Sequence, residues 1–177
     1  MTGTTWAAVS ARAGRNDLPR LLADAVFEDV TMTDPAQIAE GIAAAWVMCE
    51  WPAAQLDAET WAWLFDHVLE TNEFLTDGGA INTKPDMPAT ITLYRGAAPS
   101  RAVGMSWTDD PAQALWFVHR FQRAYGETLY RAEVDPYYLI GRFHARDEHE
   151  WVVHPDWDGE PVEVPEAEWA ALAPAAR

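Results

Sequence analysis

The stretch TDGGAINTKPDMPATITLYRG, residues 76–96, divides the chain in two. Residues 76–90 are rich in Gly, Pro and Asp, which favour turns and interrupt regular structure. ITLYRG then reads as a strand from Ile91 to Arg95, stopped by Gly96. Before the connector apolar residues recur at helical spacing; after it they alternate. The switch predicts an α+β fold, with a helical region over residues 1–85 and a compact, mostly antiparallel sheet with one crossing helix over residues 86–177.

Working towards the N-terminus, DAETWAWLFDHVLETNEFL begins with Asp57 as a candidate N-cap and sets Trp61, Leu64, Phe65 and Val68 on one face. TDPAQIAEGIAAAWVMCEW starts in the same way, with Asp34 as cap, Pro35 at the first helical position, and Ile38, Ile42, Ala45, Trp46 and Cys49 as the apolar stripe. LPRLLADAVFEDV supplies a shorter amphipathic helix from about Leu18 to Phe27. Towards the C-terminus, MSWT precedes DDPAQALWFVHRFQRAYG, a helix capped by Asp109 or Asp110 with Pro111 in its first turn. Its buried stripe is Ala114, Leu115, Val118 and Phe121. ETLYRAEV, DPYYLIGRF and EWVVH read as strands, and GEPVEVPEAEWAALAPAAR as an edge strand and a short helix.

The 177 residues suffice for a proper core, and 49% hydrophobic residues with ten Trp exclude a disordered chain. The net charge of −16 repels phosphate backbones, so no nucleic-acid partner is expected unless the few arginines gather in one place. A basic protein partner suits that surface better. No run of about 18 apolar residues and no basic-then-apolar leader occurs, so a cytoplasmic protein without a membrane span is expected. Cys49 is the only cysteine, and the five histidines form no HxH or HxxxH pair, so no metal is expected. GxSxG, GxGxxG and GxxxxGK[ST] are all missing, so a bound nucleotide would need a hold other than a glycine-rich loop.

Three chemistry-bearing elements remain, in a fixed order: Arg95 at the end of a strand in LYRG, the hydroxyl motif SWT from Ser106 to Thr108, and a Glu-x-Glu, Glu148 to Glu150, in RDEHEWVV (146–153). Carboxylates crowded against an apolar run repel one another and are partly desolvated there, which asks for a reason. Over residues 90 to 155 the pattern resembles the arginine–serine–glutamate class of mono-ADP-ribosyltransferases, similar to cholera-type and clostridial binary toxins. Those enzymes carry a strand arginine, a Ser-Thr-Ser or variant, then Glu-x-Glu ahead of a strand. Here Trp107 stands in the middle of the hydroxyl motif, and the helical half has no counterpart.

The resemblance implies an NAD⁺-binding catalytic core over residues 86–177 that moves ADP-ribose from NAD⁺, a co-substrate, to a protein acceptor, with residues 1–85 as a helical cap or target-recognition region. Glu150 would stabilise the cationic ribose, Ser106 would orient it, and Glu148 would face an arginine acceptor and assist its deprotonation. Arg95 and Gly96, with Ser106, Trp107 and Thr108, would hold NAD⁺, Arg95 through its planar fork of donors. Each residue also has a purely structural reading: Arg95 as an ion-pair partner, Ser106 as a helix cap, Trp107 as core, Glu148 and Glu150 as surface charge. Two rival functions fit the same residues, a catalytically silent acidic binding protein and an NAD⁺ glycohydrolase.

Overall fold

The computed structural model describes residues 3–70, 73–77, 79–81, 83–145 and 149–172. The chain divides into two compact units, one of Met1–Pro85 with Ile140–Ala145 and one of Asp86–Leu139 with Arg146–Arg177. The principal division falls within the connector.

The first unit is mainly helical: α1 (Trp6–Ser10), α2 (Leu18–Ala23), α3 (Pro35–Met48), α4 (Pro52–Gln55) and α5 (Ala58–Leu69). A π-helical turn, Asp24–Glu28, prolongs α2 to about the length that its apolar spacing predicts. Helices α3 and α5 begin where their caps require. The Asp34 carboxylate accepts from the Ala36 amide at 3.0 Å, and Asp57 accepts from the Thr60 amide at 2.7 Å. These bonds satisfy amides that no helical carbonyl can reach. The Asp57 carboxyl is held below the usual range chiefly by the Thr60 amide. The predicted stripes Ile38, Ile42, Ala45, Trp46 and Trp61, Leu64, Phe65, Val68 are all buried, and the Trp46 and Trp61 rings meet edge-on with centroids 4.9 Å apart.

Two short strands, β1 (Phe74–Thr76) and β2 (Gly79–Ile81), form a hairpin, β1 replacing the end of the stretch DAETWAWLFDHVLETNEFL read as a helix, which stops at Leu69, and β2 lying inside the predicted connector with Gly79 at φ +100°. A left-handed glycine costs little there, so turn chemistry and strand pairing coexist. β1 also pairs in parallel with a segment of Leu139–Phe143, Leu75 opposite Gly141 and Thr76 opposite Arg142. The Asp77 carboxylate then accepts from the amides of His144 at 2.7 Å and Ala145 at 3.3 Å, so that Ile140–Ala145 joins the helical unit.

The second unit contains β3 (Ile91–Ala97), β4 (Ser106–Thr108), α6 (Pro111–Tyr125), β5 (Thr128–Val134), β7 (Glu150–Val153), β8 (Val162–Glu163) and α7 (Glu166–Leu172), with β6 denoting Leu139–Phe143. Its strands lie in the order β7-β4-β3-β5-β8 and every neighbouring pair is antiparallel. The edge position expected for Val162 is thus observed. Asp110, not Asp109, caps α6, accepting from the Ala112 amide at 2.8 Å, whereas Asp109 accepts from the Trp151 indole at 3.0 Å. Ala114, Leu115 and Val118 pack with Leu129, Val164 and Trp169, while Phe121 is only partly covered. Across both units the pairings make a mixed fold of helices with a mostly antiparallel set of strands.

Gly96 does not stop β3, which runs on to Ala97. The glycine lets α6 approach: a Cβ at position 96 would lie 2.7 Å from the Ala114 carbonyl oxygen and 2.9 Å from Val118 Cγ2. Backbone on a packed helix cannot yield as a side-chain tip can. Gly96→Ala is expected to destabilise the protein by about 1–3 kcal/mol, measured as a lower midpoint of urea unfolding. An unchanged midpoint would show that α6 is free to shift.

Candidate functional site

Arginine, hydroxyl motif and glutamate arrive on three neighbouring strands of the second unit, β3, β4 and β7. Thr108 pairs with Tyr94 on one side and Glu150 on the other, so these three residues form one row across the strands. Ser106 pairs with Val152, two residues along β7 from Glu150, and residues two apart share a face of a strand. Strands β3 and β4 are registered only at Tyr94–Thr108 and part beyond it. Arg95, one residue beyond Tyr94, starts on the opposite face from Glu150, and its guanidinium reaches into that opening.

The Arg95 guanidinium donates through Nη1 to the Ser106 carbonyl and through Nε to the Arg101 carbonyl at 3.3 Å. Nη2 lies against Gly104, where a Cβ would stand 2.6 Å away, so a side chain at residue 104 would displace the guanidinium from this position. Nη2 meets no acceptor among the described residues. Although part of the side chain still meets solvent, protein surrounds most of the head group. That desolvation lowers its pKa to about 10, against the opposing pull of Glu150; nearby Arg101 adds to the lowering and Glu127 opposes it.

Arg101 and Glu127 were not singled out by the sequence. Arg101 Nη2 lies 3.1 Å from Glu127 Oε1, with the carboxylate side chain 8% exposed and the guanidinium side chain 54% exposed. Burial pushes the Glu127 carboxyl up, more than Arg101 and Arg95 pull it down.

The remaining predicted residues separate. Trp107 is core, 2% exposed, with its indole donating to the Gly104 carbonyl at 2.5 Å and its ring edge-on to Trp157. As core, it offers no wall to a nicotinamide. Thr108 is also buried, and its Oγ1 accepts from the Asp110 amide at 3.1 Å, which ties β4 to the start of α6. Gly96 is taken up by α6, as described above. Ser106 is half-buried and contributes its carbonyl to Arg95. Glu150 is also half-buried and opens β7, preceded by His149 in a left-handed conformation, φ +46°, uncommon for a non-glycine residue. Glu148 lies outside the described residues.

A concavity of about 890 Å³ lies elsewhere, wholly within the first unit. Asp34, Glu40 and Asp77 line it together with Val47 and Met48, and it includes none of Arg95, Ser106, Thr108 and Glu150. The strands are the stronger candidate, because polar groups converge there around a desolvated charge. Among the described residues no group of three or more His, Cys, Asp or Glu could hold a metal ion, and no helix is long and apolar enough to cross a membrane. Comparison with protein-family models, curated proteins and solved structures finds no match.

The buried carboxyl of Glu127 carries a pH signature. Its folded pKa lies above the unfolded value, so the native state holds the proton more tightly, and stability from this group falls as pH rises from the unfolded value through the folded one. Glu127→Gln cannot titrate. The stability of Glu127→Gln relative to the parent is therefore expected to improve from pH 4 to pH 7 in urea titrations; a difference independent of pH would place Glu127 in solvent.

Proposed function

We propose that this protein is an NAD⁺-dependent mono-ADP-ribosyltransferase that modifies a protein acceptor on arginine. The observation that carries the proposal is the arrival of Arg95, the Ser106–Thr108 motif and Glu150 on three adjacent strands, with Glu150 close enough to act on the Arg95 charge. A dinucleotide needs a cation for its phosphates and an anion for its reacting ribose. Arg95 Nη2 supplies the first, already oriented by two backbone carbonyls, so little side-chain freedom is lost when an anion binds. Glu150 supplies the second.

In the reaction the bond between the ribose C1′ and the nicotinamide nitrogen breaks, nicotinamide leaves with the electron pair, and positive charge develops on the sugar. Glu150 stabilises that charge. An acceptor guanidine nitrogen bonds to C1′ and gives up a proton, which Glu148 takes. The net charge of −16 supports a basic acceptor.

Labelled NAD⁺, with a lysate and with an arginine-rich test protein, checks the proposal. The wild type is expected to label protein and release nicotinamide. Glu150→Gln should lose both activities by a factor of about 10²–10³. Glu148→Gln should lose transfer yet keep slow hydrolysis, because water needs no deprotonated guanidine. Release of nicotinamide by the wild type without labelled protein would identify a glycohydrolase. Neither product would leave an acidic binding protein.

A further inference from the structure

Arg101 is a second cation at the same site, and its surroundings differ from those of a surface arginine. Its carbonyl accepts from Arg95 Nε at 3.3 Å, so the two arginines are coupled through backbone as well as charge. Its guanidinium is held on one side by the buried Glu127 carboxylate at 3.1 Å, and its Cζ lies 5.6 Å from the centre of the Tyr125 ring. These partners restrain the head group while leaving over half of the side chain in solvent. Two guanidinium groups that repel each other gain from any anion placed between them.

We propose that Arg101 and Arg95 together form a two-arginine receptor for a pyrophosphate, with Glu127 as the residue that positions Arg101. The ligand class is a diphosphate bridge, as in a dinucleotide or a nucleoside diphosphate sugar. Arg95 contributes Nη2 and Arg101 its solvent-facing N–H groups, while Glu127 keeps the inner edge of Arg101 occupied. With Nε and Nη1 of Arg95 already engaged, that residue offers a diphosphate one nitrogen, and the N–H groups of Arg101 supply the further donors that a second phosphate needs. The assignment deepens the transferase proposal and rests on it for the identity of the ligand.

Calorimetry with ADP-ribose and with inorganic pyrophosphate at about 0.15 M salt, where exposed charges beyond about 8 Å are screened, tests the receptor. Arg101→Ala is expected to weaken both ligands about tenfold, and Arg101→Lys should recover only part of the loss, since an ammonium has no planar fork. Arg15→Ala removes the same charge from the first unit, where Arg15 pairs with Glu50, and should leave affinity unchanged. Because Arg101→Ala strands a buried carboxylate, the double variant Arg101→Ala/Glu127→Gln serves as the folded control and should show the same loss. Unchanged affinity in both Arg101→Ala proteins would overturn the receptor, as would an equal loss in Arg15→Ala. Active turnover of NAD⁺ with no dependence on Arg101 would overturn the receptor alone; pyrophosphate binding that depends on Arg101 without any NAD⁺ turnover would uphold it and remove the transferase proposal.

Discussion

A guanidinium set into the opening between two strands is the constraint around which the second unit is arranged. Removing a cation from water costs several kcal/mol unless its donors are met and its charge is balanced. At Arg95 two of the three donor nitrogens are met by the carbonyls of Ser106 and Arg101, and Glu150 and Glu127 offset the charge in part. Each provision fixes something else. The Arg101 carbonyl requires the 3-10 turn Pro99–Arg101, the guanidinium fills the space that a side chain at Gly104 would take, and the carbonyl of that same glycine accepts the Trp107 indole that anchors β4 in the core. Desolvation still prevails, since the pKa falls to about 10. A residue kept at such cost for packing alone could be replaced by an apolar one with little loss, or even a gain, in stability.

The elements that could be read from sequence are those whose signals are local. Asp34, Asp57 and Asp110 each mark a helix start because a carboxylate two or three residues before an orphan amide has an obvious use, and the 3.6-residue spacing of Ile38, Ile42, Ala45 and Trp46 needs no knowledge of the partner helix. β1 and β2 could not be read in this way. Phe74–Thr76 is too short to show alternation, and its pairing partner lies at Gly141 and Arg142, far along the chain. Gly96 misled for a related reason: glycine marks both turns and close approaches, and only the position of α6 distinguishes the two.

The candidate site was legible as an order of motifs, Arg95, then Ser106 to Thr108, then Glu150, and strand order β3, β4, β7 shows why the sequence order has spatial meaning. Trp107 and Thr108 could not be separated from Ser106 by spacing, because burial in a three-residue strand depends on what covers each face; here Trp157 and the start of α6 do so. Arg101 and Glu127 escaped notice because an ion pair between residues 26 apart in sequence leaves no periodic trace.

Charge ties these points together. At −16 the protein as a whole repels a dinucleotide, which is itself an anion, yet exposed charges more than about 8 Å away are largely screened at physiological salt. What an approaching phosphate meets at contact is therefore the local pair of guanidinium groups, whereas a nucleic-acid backbone lies against much more of the acidic surface and is repelled where it touches it. A basic acceptor experiences the opposite balance: it is attracted wherever it touches that surface and needs no dedicated cationic site. On the proposed function, an acidic surface that carries two close guanidinium groups at the site thus separates the two substrates: attraction is spread over the surface for the acceptor and confined to that pair for the dinucleotide.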